Sequence, residues 1–174
     1  MSKAFTKDDE AWEEPIVPPR PPLPAGVANY VTPRGLALLR AELAQLEAGR
    51  RGLERDRDDE VHYRRRLAIL SGRIGELSER IASAVVVDPA GQPRDEVRFG
   101  ACVTLRTASG ARAGEERQLE IVGIDEADAA RGRVAFTAPI ARAILGRAVG
   151  DTASLDSPRG KELLEVVAIT YAAD

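Results

Sequence analysis

Cysteine, histidine and aromatic residues are nearly missing from this chain. Its 174 residues hold one cysteine, Cys102, and one histidine, His62. A single thiol allows no disulfide framework and no cysteine-based zinc site, and a single imidazole cannot seed a histidine cluster. Aromatic residues make up 4% of the chain, so its cores must be built from Leu, Val, Ile and Ala. No apolar run approaches the ~18 residues of a membrane span. The opening MSKAFTKDDEAWEEP is too acidic for a secretory signal, and a cytoplasmic location is expected. An excess of basic charge is lacking too. The formal net charge is −3, and even the one net-positive stretch, residues 32–84, carries only 11 basic against 9 acidic residues. A generic nucleic-acid binder has a larger basic excess. The chemistry left to the chain is carboxylate chemistry or none.

Proline is abundant in one place. Six of the eleven prolines (15, 18, 19, 21, 22 and 24) fall within ten positions. Prolines remove backbone donors and favour extended polyproline II, so residues 1–31 read as a flexible leader or a docking peptide anchored by Phe5 and Trp12. Thr32-Pro33 then signals a helix start, with a hydroxyl N-cap and proline at the first helical position. Leu36, Leu39, Leu43, Leu46 and Leu53 follow at the spacing of a narrow seam, and Leu67, Leu70, Ile74, Leu77 and Ile81 repeat it. Two such stripes predict two helices packed as an antiparallel coiled-coil hairpin over residues 32–84. Between them Arg57 and Glu60 break the apolar register, and arms of equal length put the reversal near residues 56–61. Gly49 and Gly52 offer an earlier turn, which would leave the second arm half unpaired.

The pattern changes to period two after residue 84. Val97, Phe99, Ala101, Val103 and Leu105 alternate with polar or small residues, as in a half-buried strand. Further strands are predicted at 117–123, 133–137, 150–155 and 161–171, with a hairpin turn at 157–160 and one short helix, PIARAILG, at 139–146. Residues 85–174 thus read as a mostly antiparallel β domain with one short helix, and the chain as α+β.

Taken in order, the helical hairpin, VVVDP (85–89), VRFGACVTL (97–105), IVGIDEAD (121–128), TAPIARAILG (137–146) and VGD (149–151) closely resemble the Gre-type (GreA/GreB) factors of bacterial transcription. The match runs from about Asn29 to Tyr171, and the opening MSKAF and NYVTPRG (29–35) look more like the GreB branch. The resemblance implies an FKBP-like C-terminal domain that docks on the rim of the secondary channel of RNA polymerase. The coiled coil would enter that channel, and acidic residues at its tip would help hold a second Mg²⁺ in the polymerase active centre. The polymerase would then hydrolyse the RNA 3′ end itself, so the factor is not an enzyme alone. An FKBP-like fold does not imply prolyl isomerase activity, for which this domain lacks the aromatic pocket.

On this alignment the candidate Mg²⁺ ligands are Asp56, Asp58, Asp59 and Glu60. The candidate polymerase-docking residues are Asp125, Glu126, Asp128, Pro139 and Ile140. Arg55, Arg57, Arg64 and Arg65 form part of a basic collar that could meet the RNA 3′ end or the channel wall. A monomer with no membrane contact is expected. The sequence also departs from the family tip, which resembles G-D-x-x-E-N-A-[D/E]-Y. Gly52 falls on its glycine, Leu53 on its first acidic position, Asp56 on its glutamate, Arg57 on its asparagine and Asp59 on its later acid. The first arm is shorter by roughly a dozen residues, so a hairpin closed around the loss recedes by ~6 residues, or ~9 Å. Cleavage stimulation is thereby placed in question, and inhibition of the polymerase becomes a rival outcome. The rival from another class is a coiled-coil adaptor that touches no active centre, for which the acidic run is simply a solvated turn.

Overall fold

The computed structural model describes residues 20–53, 60–110, 112–157 and 160–171. Its first element is a short strand, β1 (Asn29–Val31), which leads directly into helix α1 (Pro33–Leu53). Thr32 caps α1 as the sequence predicts, its hydroxyl accepting from the Gly35 N–H at 2.9 Å. Gly49 and Gly52 lie inside α1 and form no early turn; helix α2 spans Glu60–Ala82. The start of α1 meets the end of α2: Leu39 and Leu77 are buried together, with Leu36, Leu43, Leu46 and Ile81 packed around them. The apolar seam is therefore best filled at the base of the pair. Leu53, Leu67, Leu70 and Ile74 are only half-buried.

After α2 the chain forms β2 (Ala84–Val86), which pairs in parallel with β1. The expected leader boundary at residue 31 is thus corrected. Asn29–Val31 is strand, and its Asn29 amide donates to the Arg80 carbonyl at 2.8 Å. The boundary expected between residues 84 and 85 likewise cuts through β2. A two-stranded parallel ribbon is marginal without a packing partner, and here it leans on both the helices and the second domain.

That domain is a five-stranded mixed sheet in the order β5-β4-β3-β7-β6. Its strands are β3 (Ala101–Ser109), β4 (Glu116–Val122), β5 (Arg133–Ala135), β6 (Thr152–Ser157) and β7 (Gly160–Tyr171), with helix α3 at Pro139–Ile144. Every pairing is antiparallel except β4 with β5, which is parallel. On β3, Ala101, Val103, Leu105 and Thr107 point inward and are buried, as period two requires. The strand does not begin at Val97, however. Gly100 takes φ +84°, a left-handed conformation, and turns the chain just before β3. Val97 is nonetheless buried, its N–H bonded to Arg147 O and its carbonyl to Gly146 N. The hairpin residues 158 and 159 lie outside the described set, although β6 and β7 remain paired as far as Ser157 and Gly160.

Three of the few aromatics join the two halves. Tyr30 on β1 lies 5.9 Å from Phe99 and 5.6 Å from Phe136, and those two are 5.7 Å apart, all within the range of favourable ring contacts. Beside them the backbone of β1 passes so close to Gly123 that a Cβ there would sit 2.6 Å from Tyr30 O. Gly123→Ala is therefore expected to lower stability by about 1–3 kcal/mol, read from urea unfolding.

Candidate functional site

The turn between β4 and β5 carries the sequence IDEAD, and it supplies two carboxylates that burial makes expensive unless they are paired. Ile124–Glu126 forms a 3-10 turn, and the side chains of Asp125 and Glu126 are 6% and 1% exposed. Both reach across to the N-terminal segment and the helices. Glu126 Oε2 accepts from the Thr32 hydroxyl at 2.6 Å, and Oε1 from Arg34 Nε at 2.6 Å. Arg34 also donates to Glu120 at 2.7 Å, so its guanidinium spans β4 and the turn. Gly35 completes the fit, because a Cβ at that position would lie 2.7 Å from Glu126 Oε2.

Asp125 is held by two cations. Arg20 donates to Oδ1 at 2.7 Å, and Arg80 Nε lies 3.2 Å from Oδ2, a charge contact without hydrogen-bond geometry. Burial of Arg34 and of Arg20 opposes their charge, but the hydrogen bonds to their carboxylates outweigh it, and both pKa values are raised. Both guanidiniums therefore stay charged. A buried pair of this kind is weak evidence for net stability, yet removing one partner is strongly destabilising. Its clearest effect is to fix the helical pair on the sheet domain in one orientation.

The expected docking acids therefore divide. Asp125 and Glu126 have their carboxylates committed inside the molecule, and as exposed docking groups they are corrected: their partners come from α1, α2 and the segment before β1. Asp128 differs, with its side chain 37% exposed. It caps the 3-10 turn Ala129–Arg131 through the Ala130 N–H at 3.1 Å and pairs with Arg131 at 3.5 Å. Pro139 opens α3 and is exposed, whereas Ile140 is half-buried against the sheet core.

Of the candidate metal ligands, Asp56, Asp58 and Asp59 lie outside the described residues, as do Arg55 and Arg57. Glu60 is exposed in the first turn of α2, where the helix dipole favours a carboxylate, and pairs with Arg64 at 2.7 Å. Arg65 is exposed one residue on. Among the described residues, no group of three or more His, Cys, Asp or Glu could hold a metal ion. Nor is any helix among them long and apolar enough to cross a membrane. Sequence reasoning missed Arg20, Arg34 and Arg80. Their partners lie 105, 92 and 86 residues away for Arg20–Asp125, Arg34–Glu126 and Arg34–Glu120, so local spacing carries no signal of them.

A pair of long helices fixed by buried ion pairs to a small mixed sheet makes this an α+β protein with its helices N-terminal. The family described as "Transcription elongation factor, GreA/GreB, C-term" matches residues 92–171. The transcription elongation factor GreB of Neisseria meningitidis serogroup A is 34% identical over 157 residues, covering 82% of this chain and 94% of that one. GreB of Xanthomonas axonopodis pv. citri is 36% identical over 167 residues, covering 88% and 97%. The chain belongs to the GreA/GreB family of transcription elongation factors. Among solved structures it is similar to a GreA/GreB factor from Nitrosomonas europaea (23% identity, TM-score 0.41, 83% and 99% covered). It is also similar to Gfh1 of Thermus aquaticus (25%, TM-score 0.39, 82% and 97% covered).

Breaking the network should be costly and site-specific. Glu126→Ala leaves the buried Thr32 hydroxyl without its acceptor and takes one partner from the part-exposed Arg34, and is expected to destabilise by about 1–3 kcal/mol. Asp128→Ala removes a cap and an exposed ion pair with Arg131, and is expected to cost about 0.5–2 kcal/mol. Urea unfolding of the two variants checks the ranking, and equal effects would contradict it.

Proposed function

We propose that this elongation factor binds bacterial RNA polymerase, enters its secondary channel with the segment that links α1 to α2, and modulates backtracking, arrest or transcript cleavage there. The observation that carries the reading is the layout of the helices. α1 ends at Leu53 and α2 begins at Glu60, so the acidic run sits between the ends of two helices whose other ends are rooted in the buried network. With 21 residues, α1 is about 30 Å long. Asp56, Asp58, Asp59 and Glu60 would offer oxygen ligands to an Mg²⁺ shared with the polymerase. Such an ion stabilises the attacking and leaving oxygens of phosphodiester hydrolysis when a second metal lies about 3.5–4 Å away. Four carboxylates so close repel one another, and a cation relieves that repulsion.

The C-terminal domain would dock by its exposed surface, through Asp128, Pro139 and the accessible part of Ile140, while Asp125 and Glu126 hold the domain and helices in register. Arg55, Arg57, Arg64 and Arg65 would lie nearest the RNA 3′ end. The factor acts in the cytoplasm as a monomer and has no hydrolytic activity of its own; the polymerase performs the reaction.

A second reading is favoured by Leu53. It stands at the end of α1 where the resembling family motif has an acid, and the first arm is shorter than in that family. A ligand set with one carboxylate fewer and a shorter reach would occupy the channel and slow the polymerase instead, because a metal ligand displaced by ~1 Å is a poor one.

Release of 3′-labelled fragments from a purified backtracked elongation complex, across several Mg²⁺ concentrations and beside a binding assay, tests both readings. The wild-type protein is expected to bind and to change the release rate, acceleration supporting the first reading and retardation the second. The variant with Asp56, Asp58, Asp59 and Glu60 all changed to Ala is expected to bind as well and leave the rate unchanged. Absence of binding by the wild-type protein would overturn the proposal.

A further inference from the structure

The proline-rich segment before β1 does not merely precede the fold. Two of its consecutive residues touch all three parts of the joint. The Arg20 guanidinium reaches Asp125 of the sheet domain at 2.7 Å and Glu42 of α1 at 2.5 Å. The next residue, Pro21, offers its carbonyl to Arg80 Nη2 of α2. Arg80 is itself the second cation beside Asp125. Pro22 and Leu23 then run along the last turns of α2, sharing a surface hollow with Glu76, Glu79 and Ser83. The chain turns at Pro24, whose carbonyl accepts from the Val27 N–H at 3.2 Å, and enters β1.

We propose that Arg20 and Pro21 form a latch that fixes the angle between the helical pair and the sheet domain, with Arg20 as its positioning residue. Three features support it. Asp125 is nearly inaccessible, so the Arg20 hydrogen bond is screened little by water or salt. Arg20 presents a planar fork, which lets one side chain span two carboxylates on different elements in a way a lysine ammonium does not. Pro21, Pro22 and Pro24 restrict the segment before it docks, so ordering it sacrifices little conformational freedom. The other ties at the joint, Arg34 with Glu126 and Tyr30 with Phe99 and Phe136, hold one side of α1 and β1. Arg80 ties α2 to Asp125 directly; the latch adds Glu42 of α1 to the same anchor and braces Arg80 through the Pro21 carbonyl.

The latch acts within one chain, so it is tested without polymerase, and its failure is separate from any failure of the proposed function. The 174-residue chain carries Cys102→Ser, with spin labels at Gln45→Cys on α1 and Thr152→Cys on β6, both exposed. Dipolar spectroscopy is expected to give a single narrow distance distribution. Arg20→Ala, and removal of residues 1–24, should each broaden it and speed amide exchange in β1 and at Ile124–Glu126. Arg20→Lys should fall between the two. Melting temperature is the check on folding: a broadened distribution in a variant that still unfolds cooperatively supports the latch. Unchanged widths and unchanged exchange in both Arg20→Ala and the truncated chain would overturn it.

Discussion

Two adjacent carboxylates that cannot reach water govern how this molecule is put together. Asp125 and Glu126 sit in a 3-10 turn at the edge of the sheet, and each needs donors and cations from elsewhere in the chain. Thr32 and Arg34 come from the start of α1, Arg80 from the end of α2 and Arg20 from the segment before β1. The joint between the helices and the sheet is therefore electrostatic at its centre and apolar at its flanks, with Leu39 and Leu77 on one side and the Tyr30, Phe99 and Phe136 cluster on the other. Hydrophobic contact is non-directional, whereas the guanidinium–carboxylate hydrogen bonds of Arg34 and Arg20 have a preferred geometry. The aliphatic contacts supply adhesion and the ion pairs supply the angle.

Angle matters because of leverage. A tilt of about 5° at the base of a helix about 30 Å long moves its far end by roughly 2–3 Å. Ligand and reactant placement tolerates about 1 Å. The proposed presentation of carboxylates at the end of two helices would therefore depend on residues at the opposite end. This gives the IDEAD segment a role that exposure alone would not suggest: Asp125 and Glu126 tie the turn to both helices, whereas Asp128 and Pro139 stay exposed.

Much of this architecture was legible in the sequence, and the parts that were not share a cause. Thr32-Pro33 announced the start of α1 because a cap is a local event, and the leucine spacing announced both helices because their period is local too. The alternation from Ala101 to Leu105 marked β3, but the same alternation extended back to Val97 and hid the turn at Gly100. There the backbone changes direction while the burial pattern continues. The parallel pairing of β1 with β2 was not legible, since three residues carry no periodicity and the paired positions, such as Asn29 and Ala84, lie 55 residues apart. The ion pairs were invisible for the same reason, joining positions 45 to 105 residues apart. Asp125 and Glu126 drew attention by resemblance to a family motif, but nothing in the string DEAD distinguishes an acid that faces a partner from one that faces an arginine within the chain.

A double-mutant cycle on Arg34 and Glu126, with each residue changed to Ala singly and together and unfolding measured in urea, addresses the joint most directly. If these two side chains hold the helices to the sheet through their mutual contact, the single losses will not add. The coupling should then reach about 1.5–3 kcal/mol, within the range seen for residues in direct contact. Additivity to within about 0.5 kcal/mol would mean that the two residues stabilise their own elements independently, and the electrostatic account of the joint would be wrong.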